Sequence, residues 1–124
     1  MINKTKPEVH PKGWGEELWL VNRPDYCMKL LRFRQDSKCS MHFHIKKHET
    51  WYVVKGWLRL HWIDVTDGSS HVSSFVDGDA IEIPPGVPHQ VFAITDVEIV
   101  EASTHHDEAD SYRIAPGDSQ KQST

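Results

Sequence analysis

Turn-forming residues punctuate this chain every 8 to 12 positions, and no stretch between them carries a strong helical signal. The turns fall at Asn22-Arg23-Pro24-Asp25, Gln35-Asp36-Ser37, Lys55-Gly56, Thr66-Asp67-Gly68, Asp77-Gly78-Asp79, Pro84-Pro85-Gly86 and Thr95-Asp96. Between them lie short runs rich in Val, Ile, Trp, Tyr and Phe, the residues that suit a pleated, half-buried surface. A chain cut so regularly cannot build helices of useful length. Its spacing predicts an all-β sandwich or barrel.

Nine strands are expected: 17–21, 27–34, 40–44, 50–54, 57–65, 71–76, 80–83, 90–93 and 97–103. Several alternate with period two; Leu58, Leu60 and Trp62 share one face, and Arg59 and His61 share the other. Asp67-Gly68 predicts a hairpin across Asp64 to Ser70. Parallel strands need long crossovers, so the pairing should be antiparallel. The chain should form one domain over residues 1–124, with a barrel core over about 16–104 and a polar tail over about 115–124. Tyr112, Arg113 and Ile114 should pack, and the last six or so residues should fray.

Composition narrows the class. With 124 residues, 38% hydrophobic and 26% charged, the chain can bury a real core and is too apolar for disorder. A net charge of −4 argues against a nucleic-acid partner. No apolar run approaches a membrane span, and MINKTKPEVHPKG lacks the apolar core of a secretory signal. Cys27 and Cys39 form no disulfide framework and fit a reducing cytoplasm.

Histidine is the unusual residue, with nine in the chain. His42, His44, His48 and Glu49 fall within eight positions. Residues two apart on a strand face the same way, so His42 and His44 can aim two imidazoles at one point. Of the neighbours His48 and Glu49 only one should face inward, and the alternation beyond them does not choose. A tight Pro84-Pro85-Gly86 turn delivers His89 at the start of another β-run. Three neutral imidazoles and a carboxylate suit Fe, Mn, Co, Ni or Zn.

These two segments resemble both signature motifs of the cupin superfamily. The first family pattern is G(x)5HxH(x)3–4E(x)6G; here Asp36 precedes His42, Phe43 and His44, then Glu49, then Gly56, at the same spacing. The second is G(x)5PxG(x)2H(x)3N, matched by Gly78, Pro84, Pro85, Gly86 and His89, with Ala93 last. Asp36 stands for the first glycine and Ala93 for the final Asn. The resemblance covers roughly residues 12–103 and implies a cupin double-stranded β-helix, that is, a jelly-roll barrel. It also implies a divalent transition metal held by His42, His44, Glu49 and His89, since the family register turns Glu49 inward. His48 is then a supporting or surface residue.

A narrower resemblance is to type II mannose-6-phosphate isomerase domains. It rests on Glu49-Thr50-Trp51-Tyr52-Val53-Val54-Lys55-Gly56, on Lys12-Gly13-Trp14-Gly15-Glu16-Glu17, and on Val97-Glu98-Ile99-Val100-Glu101-Ala102. It implies a sugar or sugar-phosphate isomerase that interconverts aldose and ketose. Glu101 is the leading candidate base, with His61 and Glu16 weaker ones. Lys46, Trp51, Arg59 and His61 are candidate substrate contacts; Lys29, Arg32, Arg34 and Lys47 are further cations available to a phosphate. The same ligand set also serves non-haem iron dioxygenases and non-catalytic metabolite-binding cupins. His105 and His106 read as a solvated loop, and His10 and His71 as surface residues. Small cupins commonly pair, so a homodimer is expected.

Overall fold

The strand Cys27–Phe33 alternates buried and exposed along its whole length, the signature of a sheet with one face packed and one wet. The same alternation recurs over most of Glu49–Lys55, and in Val97–Ser103 buried residues alternate with half-buried ones up to Glu101. A computed structural model describes residues 1–121 of the protein. It contains eleven strands: β1 Glu8–Lys12, β2 Gly15–Asn22, β3 Cys27–Phe33, β4 Met41–Phe43, β5 Glu49–Lys55, β6 Trp57–Asp64, β7 Ser69–Val76, β8 Ala80–Ile83, β9 His89–Ala93, β10 Val97–Ser103 and β11 Tyr112–Ala115. The only helical pieces among the described residues are two 3-10 turns, Glu108–Asp110 and Asp118–Gln120. Among the described residues no helix is long and apolar enough to cross a membrane.

The strands form two sheets, ordered β1-β2-β3-β10-β5-β8 and β11-β4-β9-β6-β7. Every strand pair is antiparallel. The expected all-β jelly roll is the fold observed. The two sheets close on a core that includes Leu31, Phe33, Val53, Leu58, Leu60, Ile81, Val91, Val97 and Ile99. Register explains how the first sheet fills its side: Ile99 sits between Leu31 of β3 and Val53 of β5. One step along, Glu101 sits between Lys29 and Trp51.

The β6–β7 hairpin forms where Asp67-Gly68 predicted it, with Gly68 at φ +75°. Gly56 turns β5 into β6 at φ +106°, and a Cβ there would lie 2.2 Å from the Asp96 carbonyl oxygen. No other residue fits that turn. Asp36 adopts φ +64°, a conformation Asp tolerates, in place of the family's glycine.

Two strands lie outside the expected set. β1 pairs with β2, and β11 pairs with β4. The polar tail is also held further than expected. Gly117 is buried, and a Cβ there would fall 2.2 Å from the Cys39 carbonyl carbon. The Lys38 N–H donates to Asp118 Oδ2 (2.9 Å), and the Gly13 N–H donates to Ser119 Oγ (3.0 Å). Polar composition concealed this docking because the contacts are hydrogen bonds rather than apolar packing. Residues 122–124 of the expected fraying end lie outside the described residues.

Candidate metal centre

β4 and β9 pair through His42 and His89, which places two of the predicted imidazoles side by side. His44 follows β4 directly. The Gly86 N–H donates to the His44 carbonyl (2.6 Å), so the Pro-Pro-Gly turn is tied to the segment that carries the other two histidines. One nitrogen from each of His42, His44 and His89 can be chosen so that all three lie within 4.8 Å of one another. His44 and His89 are buried; His42 is half-buried.

Hydrogen bonding fixes which nitrogen each ring offers. His42 Nδ1 lies 2.9 Å from the Ser40 carbonyl, His44 Nδ1 2.8 Å from the Asp110 carbonyl, and His89 Nδ1 2.9 Å from the Val87 carbonyl. A carbonyl can only accept, so each Nδ1 carries a hydrogen and each neutral ring keeps its lone pair on Nε2. This is the usual way supporting hydrogen bonds orient metal-binding imidazoles. Burial lowers the pKa of all three rings, His89 to about 3, and so favours the neutral, ligating form.

Glu49 is buried at the start of β5, facing inward with Trp51 and Val53. Its Oε2 lies 3.6 Å from His44 Nε2 and 3.7 Å from His89 Nε2. Glu49 Oε2 and His89 Nε2 are buried with no hydrogen-bond partner among the described residues. A carboxylate oxygen and an imidazole lone pair are both acceptors and cannot satisfy each other. A cation satisfies both, and these donor types suit a divalent transition metal. The residues present therefore fit the metal that the sequence motif implies. His48, by contrast, is exposed and pairs with Glu82 at 3.2 Å.

The centre opens into a cavity of about 160 Å³. Trp51 lines it, and its Nε1 donates to Glu49 Oε1 (3.0 Å), holding the carboxylate in place. Glu101 lines it too, 3% exposed, with Lys47 Nζ 2.8 Å from its Oε2. Burial and the nearby Glu49 charge raise the pKa of Glu101 despite that ammonium. Lys47 also approaches His106 Nδ1 (3.2 Å) and Glu49 Oε1 (3.9 Å). Burial opposes its charge, but the carboxylates of Glu101 and Glu49 outweigh burial and raise its pKa.

Several expected contacts are corrected. Lys46 is exposed and does not line the cavity; its neighbour Lys47 is the buried one. The reason is Asp110, whose carboxylate accepts the N–H groups of Ile45, Lys46 and Lys47 and winds the loop so that Lys47 turns inward. Arg59 and His61 lie on the outer face of β6, opposite buried Leu58 and Leu60. Arg59 sits over the Trp57 ring (5.6 Å) and His61 against Phe92 (4.3 Å). Neither lines the cavity, and His61 is in no position to act as its base. Glu16 is also absent from the cavity, being paired in register with Arg32. His106 is not solvated: it is half-buried and lines the cavity. Sequence gave no signal for Asp110 or His106, which reach the site from more than sixty positions beyond His44.

Residues 18–118 match the family model described as Cupin. The chain belongs to the cupin family. Solved structures similar to this cupin include oxalate decarboxylase from Bacillus subtilis at pH 4.6, at 19% identity and TM-score 0.78, covering 87% of this chain and 30% of that one. CapF with the inhibitor 3-isopropenyl-tropolone matches at 18% identity and TM-score 0.78, covering 90% of this chain and 35% of that one. A further structure of the Bacillus decarboxylase, described by its Mn(II) centres, matches at 19% identity and TM-score 0.77, covering 87% of this chain and 30% of that one. This chain thus spans about a third of the length of these structures, and at such identities the likeness is one of fold. No curated protein matches the chain.

Proposed function

We propose that this cupin is a metal-dependent isomerase that interconverts the aldose and ketose forms of a small sugar or sugar phosphate. The observation that carries the reading is Glu101, a buried carboxyl with a raised pKa on the wall of the cavity that His42, His44 and Glu49 also line, with His89 buried beside them. The resemblance to type II mannose-6-phosphate isomerase domains supports the choice of substrate.

His42, His44, His89 and Glu49 would hold the metal. When bound, it supplies Lewis acidity toward two adjacent substrate oxygens. Glu101 takes the proton from one substrate carbon at its carboxylate and returns it to the neighbouring carbon, while the hydroxyl proton passes from one of the two substrate oxygens to the other. A carboxyl with a raised pKa is a better base for that step than an ordinary one. Lys47 holds Glu101 in position through its 2.8 Å contact with Oε2. Trp51 keeps Glu49 oriented. The cavity compares with the about 150 Å³ void that admits benzene, so a sugar-ring-sized body fits and a longer substituent projects toward the mouth.

Two further expectations go with this reading. Two buried, free cysteines suit a cytoplasmic protein. The outer face of the five-stranded sheet, with Trp57, Val72 and Val76 exposed, suits pairing of two copies as a homodimer.

The test is metal content followed by turnover. Protein loaded with Mn, Co, Ni or Zn should isomerise at least one hexose or pentose, free or phosphorylated. EDTA should abolish turnover and added metal restore it. Metal uptake with no turnover of any such sugar would overturn the isomerase reading. Oxygen uptake by the iron-loaded protein would replace it with a dioxygenase.

A further inference from the structure

Lys29 is the second buried ammonium of the cavity, and its surroundings differ from those of Lys47. It projects from the inner face of β3 with its side chain 3% exposed. Lys47 has partners at 2.8 and 3.2 Å. The polar partner of Lys29 is Glu17 Oε1 at 3.5 Å, the far limit of a hydrogen bond, and that oxygen already accepts from Trp19 Nε1 at 2.8 Å. The Trp19 ring lies 4.3 Å from Nζ and offers a π-face rather than an acceptor atom. An ammonium carries three donors, so Lys29 keeps donors unfilled inside the cavity. Leaving them so is costly in a buried site unless a ligand brings the acceptor.

Charge gives a second, separate argument. Four cations line the cavity: Lys12, Lys29, Lys47 and Arg113. Four carboxylates oppose them: Glu17, Glu49, Glu101 and Glu108. The ligating imidazoles are neutral. The lining is therefore balanced without a metal and becomes two charges positive once a divalent ion is held. Neither Lys12 nor Arg113 forms an ion pair among the described residues. Water screens the exposed Arg113 and Glu108 and the half-buried Lys12; among the enclosed groups, Lys29 and Lys47 face Glu17, Glu49 and Glu101, so a divalent ion leaves one positive charge that a neutral sugar would not offset.

We infer that the substrate carries an oxyanion, a carboxylate or a phosphate, and that Lys29 is the residue that binds it. The inference deepens the isomerase reading and rests on it for the metal. It selects an anionic sugar over a neutral one.

The experiment titrates inorganic phosphate and, separately, acetate into zinc-loaded protein, with zinc content measured in each sample. Tighter binding of phosphate points to a phosphorylated substrate, and tighter binding of acetate to a sugar acid. Lys29→Met should weaken the preferred anion at least about tenfold at unchanged zinc content, and Lys29→Arg should restore most of it. Lys29→Met leaves Glu17 without its cation, so Glu17→Gln/Lys29→Met serves as the variant that keeps the fold. Equal anion affinity in the wild type and the double variant overturns the inference, as does a wild type that binds neither anion. A wild type that takes up no zinc overturns the metal reading instead, and repeating the titrations without zinc still reads the Lys29 dependence.

Discussion

The inner face of β3, β10 and β5 has two halves with opposite chemistry. One half is dry: Phe33, Val97, Leu31, Ile99 and Val53 are buried against Leu58 and Val91 of the facing sheet. Two residues further along β3 and β10 the face carries Lys29 and Glu101, and four residues further along β5, past Trp51, it carries Glu49, all equally buried. The strands, the alternation and the register are common to both halves. Burial alone therefore does not distinguish core from site. The difference lies in what each buried group needs: the dry half is complete in itself, whereas Glu49 Oε2, like His89 Nε2 of the facing sheet, has no partner among the described residues.

Breaking the polar half should cost the most in metal binding. His89→Ala should lower zinc affinity by more than the roughly 10–100-fold that losing a supporting hydrogen bond costs, read by chelator competition. The dry half should hold the fold, and circular dichroism of this variant should stay β-rich. Ile99→Ala tests the opposite separation. It should lose about 2–5 kcal/mol in urea unfolding, with zinc stoichiometry unchanged. If both variants lose fold and metal together, the two halves are one unit.

Asp110→Ala sharpens the boundary. It removes the acceptor for the N–H groups of Ile45, Lys46 and Lys47 while leaving every expected ligand in place. Zinc affinity should fall about 10–100-fold, with Asp110→Asn in between.

The polar half should also respond to pH. Burial lowers His89 from 6.5 to about 3, and burial together with Lys29 and Lys47 lowers His106 to about 4. The unfolded chain then binds more protons than the folded one across this range. The stability these groups contribute is full above about pH 6.5 and is lost as pH falls through 4 and then 3. Melting temperature of the metal-free protein should drop over that window, and His106→Gln should flatten its upper part. The smallest effect belongs to the outer face: Arg59→Ala should change stability by less than about 0.5 kcal/mol and leave zinc affinity alone.

Much of this was legible in the residue pattern. Turn spacing disclosed the strands, since Gly and Asp mark each reversal. Motif spacing brought His42, His44, Glu49 and His89 to one place. Period two sorted Arg59 and His61 onto one side of β6, but it did not say that this side was the outer one. It also failed in the loop between His44 and Glu49, where a backbone turn around a distant carboxylate decides which lysine faces inward. The docking of residues 105–121 was illegible for a related reason. It depends on backbone N–H groups and single polar side chains, which leave no periodic trace.

β4 is three residues long and is held between β9 and β11. Its outer neighbour pairs Arg113 with His42, across about seventy residues of chain. The strand that presents the first histidine is thus bordered by partners from the last third of the chain, so the centre is knitted from contacts remote in sequence rather than from one local segment.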